Sequence, residues 1–86
     1  MKELSSDNLK LDKGVGYLYV YAPEHEYSNK SGKIYWHRYI ASMSKGYWIP
    51  TEEHVHHIDE NKLNNASTNL QVLTPREHAK LHNKGW

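Results

Sequence analysis

The sequence predicts an α+β fold: a strand–loop–strand–helix unit over about residues 53–83, preceded by a β-hairpin and a short helix. Three observations carry this. Glu53 to Ile58 and Leu70 to Leu73 are short strand-like runs separated by Asp59 to Asn69, a polar stretch rich in Asn, Asp, Ser and Lys. Thr74-Pro75-Arg76-Glu77 is a helix start, with Thr74 as N-cap, Pro75 at the first helical position and Glu77 placed to close a capping box. Further back, Gly14 to Ala22 is dense in Tyr and Val and stops at Pro23, as a strand would.

The remaining elements follow in order. Residues 1–13 are polar and charged with no clear period and read as a loose N-terminal arm or a short first turn, leaving residues 14–86 as one domain. Glu24 to Gly32 has the Asn and Gly of a loop, and Lys33 to Trp36 returns as the second strand of a hairpin. His37 to Ser44 spaces Arg38, Tyr39, Ile40 and Met43 as a helix does, with Lys45-Gly46 as its C-terminal stop. Gly46 to Pro50 is a turn carrying bulky residues back to the core, and the last helix runs to about Asn83 with Gly85 just beyond.

Composition narrows the chemistry. At 86 residues the chain is near the size where one core is only marginally self-sufficient, so a bound metal would add stability. Phe is absent, and the aromatics are seven Tyr and three Trp, whose polar ends need partners. Cysteine is absent too, which excludes disulfides and thiolate metal sites. Any metal must be held by His, Asp, Glu or Asn. The start has no apolar leader, and no run of 18 apolar residues occurs, so a cytoplasmic location is expected, in a bacterium or a phage-infected host cell. Net charge is only +1, but residues 28–46 hold Lys30, Lys33, Arg38 and Lys45 with no acid, while Glu52, Glu53, Asp59 and Glu60 gather around a histidine pair. A divalent cation there would turn the local field toward phosphate.

That pair, His56-His57, and the helical pair His78 and His82 carry the chemistry. Histidines at i and i+4 share one helix face. With His56 as third ligand they make a three-nitrogen site with a position left open, the ligand count of a catalytic rather than a structural metal. Imidazole favours zinc, nickel, cobalt, copper or manganese over magnesium. His57 is then free to take a proton from water, since a neutral imidazole titrates near pH 6.5. Adjacent side chains leave a strand on opposite faces, so both rings reach one phosphate only if the strand bends or ends there. Lys62, Arg76, Lys80 and Lys84 are candidate phosphate contacts. Arg38 is another, although packing or helix surface weighs more for His37-Arg38. His54 reads as exposed, His25 as a loop residue, Asp59 as a turn residue at the loop entry, and the Tyr17–Tyr21 strand as core rather than a stacking platform.

Val55-His56-His57-Ile58-Asp59, Leu63-Asn64-Asn65, Asn69-Leu70 and Glu77-His78-Ala79-Lys80-Leu81-His82 resemble the HNH endonuclease family, whose fold is the ββα-metal finger. The likeness covers about residues 53–82. Upstream, Gly32 to Ile40 is similar to the strand and helix before this motif in short phage and bacterial members. The resemblance implies a metal-dependent endonuclease that nicks or cuts DNA, leaving 3′-hydroxyl and 5′-phosphate ends. It makes His57 the general base and His78 the last residue of the name motif. Asn69 becomes the structural asparagine that ties the loop, so that a backbone carbonyl fixes the His57 tautomer. As in the colicin-type DNase variant, His56, His78 and His82 would hold one divalent ion. Other members place Asp at the first position and Asn at the His78 position and prefer magnesium, which leaves Zn, Ni, Mn and Mg open. DNA, through its phosphate backbone, is the expected partner, with a homodimer or a larger phage or host assembly also open. Two rival readings share the same residues: a non-catalytic metal- and nucleic-acid-binding module, which leaves His57 without a purpose, and a ribonuclease.

Overall fold

Two small antiparallel sheets lie on either side of one helix in the computed structural model. It describes residues 3–83, without the side chains of residues 78 and 81–83. The first sheet has the order β1 (Lys10–Asp12), β2 (Tyr17–Tyr21), β3 (Lys33–Tyr35). Its register sets Lys10 and Tyr35 on either side of Tyr19, Ile34 beside Val20 and Lys33 beside Tyr21. Because side chains alternate along a strand, Val20 and Ile34 share one buried face while the tyrosines occupy the other.

Residues 10–12 correct the reading of 1–13 as an arm, since they form the edge strand β1. A three-residue strand shows no sequence period, and this one is specified by what pairs with it. Asp12 accepts from Lys33 Nζ (3.0 Å) and the Tyr35 hydroxyl (2.8 Å) across the sheet. Upstream, the Leu4 amide donates to the Tyr39 hydroxyl at 2.7 Å. Residues 14–16, expected in the strand, form the β1–β2 turn. The amides of Val15 and Gly16 donate to the Asp12 carbonyl, and Gly16 takes φ +79°, which its missing Cβ permits.

Helix α1 (Trp36–Lys45) follows β3 directly and ends at Gly46, whose left-handed φ of +84° lets its amide return to the Ser42 carbonyl. It contacts both sheets. Ala41, Ile49 and Val55 form the buried centre, with Leu70 and Val72 packed against them. Ile49 has no exposed surface, and its amide is satisfied by the buried Ser42 hydroxyl at 2.9 Å. Arg38 fastens the segment after the helix by donating to the carbonyls of Ile49 and Pro50 (both 3.1 Å) and Glu53 (2.9 Å).

The second sheet pairs β4 (His54–His57) with β5 (Leu70–Leu73), and α2 (Pro75–Asn83) follows after Thr74. The expected capping box is present: the Thr74 amide donates to Glu77 Oε1 (3.0 Å) and the Glu77 amide to Thr74 Oγ1 (3.2 Å). The small α+β architecture expected from the sequence is therefore the one observed. No helix among the described residues is long and apolar enough to cross a membrane.

Candidate active site

The loop between β4 and β5 is organised by one carboxylate and one asparagine. Asp59 accepts from the Asn61 amide (2.8 Å), Asn69 Nδ2 (2.9 Å) and Asn64 Nδ2 (2.9 Å). These donors hold its carboxyl below the usual range, the Asn64 side chain contributing most, then the Asn61 amide and the Asn69 side chain. Asn69 closes the loop from the other end. It accepts from the Asp59 amide (3.1 Å), donates to the Asn64 carbonyl (2.9 Å), and offers its own carbonyl to the Ile58 amide (2.8 Å). The polar segment from Asp59 to Asn69 is thus pinned at both ends, and Asp59 is a structural node of the loop as well as its entry.

Strand β4 stops at His57, where this loop begins. His57 is 5% exposed, and its ring lies near-parallel to Tyr17 (centroids 5.9 Å apart, 18°) and tilted to His37 (5.2 Å). Its Nε2 is 2.7 Å from Asn65 Oδ1. An amide oxygen only accepts, so Nε2 carries the hydrogen, and in the neutral ring the lone pair falls on Nδ1. The tautomer is therefore set by the side chain of Asn65, not by the backbone carbonyl that the resemblance implied. His56, one residue earlier, is half-buried and belongs to the opposite face of β4 with the exposed His54.

His37 lines the same wall. It stacks on Tyr17 at 4.3 Å, is 7% exposed, and its Nδ1 is buried with no hydrogen-bond partner. Burial foremost, then the nearby His57 and Arg38, pushes its pKa down to about 3. In the unfolded chain the same ring protonates near 6.5. The stability tied to a neutral His37 is thus complete above about pH 6.5 and drains away as pH falls toward 3, because only the unfolded state takes the proton there. The slope reaches at most about 1.4 kcal/mol per pH unit. Urea unfolding at pH 7.0 and 5.5 should show this loss in the native sequence and a smaller one in His37→Phe; equal losses would show that the ring is not held neutral by the fold.

The expected phosphate contacts separate. Arg38 takes the packing role weighed above phosphate contact: three of its N–H···O bonds go to main-chain carbonyls, so it serves as a clamp within the fold. Lys62 donates to the Val15 carbonyl (2.9 Å) while its ammonium sits 4.9 Å from the centre of the Tyr17 ring, the ring that lies along His57. Arg76 and Lys80 are exposed on α2, and Lys84 lies outside the described residues. His78 and His82 fall four apart within α2, but their side chains lie outside the described residues. Among the described residues no three His, Asp or Glu side chains form a metal cluster. Sequence reading gave Asn65, Tyr17 and His37 no place at the His57 ring. The doubled Asn64-Asn65 in a polar loop was a local cue for the first; the other two come from elements 20 and 40 residues away and left no cue.

Residues 34–80 match a family described as HNH endonuclease. A protein of Acanthamoeba polyphaga mimivirus named "Uncharacterized HNH endonuclease L560" is 42% identical over 48 residues, which cover 56% of this chain and 26% of that protein. The chain thus spans about a quarter of the length of the curated relative it matches. No solved structure matches.

Proposed function

The chain belongs to the HNH endonuclease family, and on that premise we propose that it hydrolyses phosphodiester bonds of DNA, with His57 as general base. The observation that carries this reading is the His57–Asn65 bond. It leaves Nδ1 as the basic atom of a ring that two aromatic neighbours hold in place at the end of β4. Nδ1 takes the proton of the attacking water, and the imidazolium that forms keeps its Nε2–H on Asn65 Oδ1, so the ring need not turn during the transfer. Asn69 acts at one remove, by fixing the loop that presents Asn65.

His56, His78 and His82 would hold one divalent ion. Three imidazoles suit a borderline cation such as zinc, nickel or manganese, and the cysteine-free chain offers no thiolate donor. His56 also lies on the strand face away from His57, so ligand and base do not compete for one position. When bound, the ion supplies positive charge to the scissile phosphate and the leaving oxygen. Lys62 and Lys80 would contact flanking phosphates.

Purified protein incubated with supercoiled plasmid and Mg²⁺, Mn²⁺, Ni²⁺ or Zn²⁺ in turn is expected to yield nicked or linear DNA with at least one ion and none in EDTA. Intact plasmid under every ion would overturn the reading, and cleavage of RNA alone would move the substrate to ribonucleic acid.

A further inference from the structure

Beyond Tyr17, which braces His57, the first sheet presents an aromatic and basic face with no part in the proton transfer. The register places Tyr17, Tyr19 and Tyr21 of β2, Lys33 and Tyr35 of β3 and Lys10 of β1 on this one side. Aliphatic Val20 and Ile34 turn the other way into the core. Tyr17, Tyr19 and Tyr35 are half-buried, Lys10 is exposed, and Tyr21 is 60% exposed. The Lys33 ammonium lies 4.7 Å from the Tyr19 ring centre and Lys62 reaches over Tyr17, so cations are interleaved with the rings. Asp12, already held by Lys33 and Tyr35, is the carboxylate set among these groups. The row also has a direction: Tyr17, at its inner end, is the ring lying against His57.

We propose that this face carries the nucleic-acid strand as it leaves the cleavage centre, Tyr17 first, then Tyr19 with Tyr35, then Tyr21 with Lys10 and Lys33 beside them. The proposal rests on His57 marking that centre. Three features select a nucleic-acid strand over a protein partner. The face has ammonium groups for phosphates, flat rings and phenolic hydroxyls for bases and sugars, and little aliphatic surface beyond Val15 at its Tyr17 end for an apolar partner to cover. Alternate residues of a strand recur about every 6.6 Å, of the order of the separation of neighbouring phosphates, so each tyrosine meets roughly one nucleotide. Stacking on tyrosine tolerates any base, which suits contacts that grip without reading sequence.

The test is fluorescence anisotropy of the full chain with a labelled DNA duplex and a single-stranded oligonucleotide, in EDTA so that no cleavage occurs. Tyr21→Ala and Lys10→Gln change exposed side chains, and unchanged thermal unfolding midpoints verify their folds. Each is expected to weaken binding about three- to tenfold, and Lys10→Gln to lower the salt dependence by about one counterion. Lys45→Gln, at the far end of α1, should bind as the native chain does. Native affinity in both face variants, equal weakening in Lys45→Gln, or no DNA binding by the native chain overturns the proposal. So does a change in self-association, by light scattering, that accounts for the effect. Plasmid cleavage by the same variants separates the two ideas: normal DNA affinity with metal-dependent cutting removes the strand path and leaves the nuclease standing. Weakened affinity in a chain that cuts nothing removes the nuclease and leaves a DNA-binding face.

Discussion

His57→Ala should abolish plasmid nicking, a loss of roughly 10²–10⁴-fold set by removal of the general base, while metal affinity stays within about twofold. The alanine leaves Asn65 and the two aromatic neighbours in place, so a folded, metal-binding, inactive protein is the expected product. Cutting at the native rate would remove His57 from the mechanism. Asn65 supplies a graded companion. Asn65→Leu removes the acceptor that keeps the hydrogen on Nε2, so the ring divides between two tautomers and can rotate, with activity falling about tenfold or more. Asn65→Asp keeps an acceptor oxygen and should retain more activity than Asn65→Leu. His78→Ala and His82→Ala are expected to differ in kind, lowering metal affinity and cleavage together. Single-turnover rates at saturating metal, beside calorimetric metal titration, distinguish the two patterns.

The largest effect on stability is expected from Arg38→Ala. The guanidinium joins α1 to the segment entering β4 through the carbonyls of Ile49, Pro50 and Glu53. Truncation leaves the partly buried carbonyls of Ile49 and Glu53 short of a donor, while Pro50 keeps the Glu53 amide (3.0 Å), all beside the fully buried Ile49 side chain. The expected cost is about 2–4 kcal/mol, a large share of what a chain this short can hold in reserve. Arg38→Lys keeps the charge but cannot reach three carbonyls with one ammonium, so it should recover only part of the loss. Urea denaturation measures both. A loss below about 0.5 kcal/mol in Arg38→Ala would show that water replaces the clamp.

Local chemistry was readable from the sequence, and contacts between distant segments were not. Thr74 to Glu77 announced both bonds of the capping box because every partner lies within four residues. The β4–loop–β5–α2 order, and the stop of α1 at Gly46, were equally legible from turn residues and period. The edge strand β1 escaped because its register is fixed by Tyr17 to Tyr19, and its Asp12 is held by Lys33 and Tyr35, more than 20 residues away. Arg38 looked like a surface cation because a sequence shows charge but not the carbonyls waiting eleven to fifteen residues on. The histidine at 57 was visible as a proton acceptor. The group that chooses its tautomer left only the Asn64-Asn65 doublet as a cue, and the rings that brace it were visible only in three dimensions.

Helix α1 has a consequence for anyone wishing to move the finger elsewhere. Val55, Leu70 and Val72, which belong to the β4–β5 hairpin, are covered by Ala41 and Ile49 from outside it. Residues 53–83 cut loose would therefore carry an oily seam into water along with the loss of the Arg38 clamp. The hairpin and its helix are not a portable cassette: a transplant must bring the upstream helix along, or build a surrogate lid of the same shape.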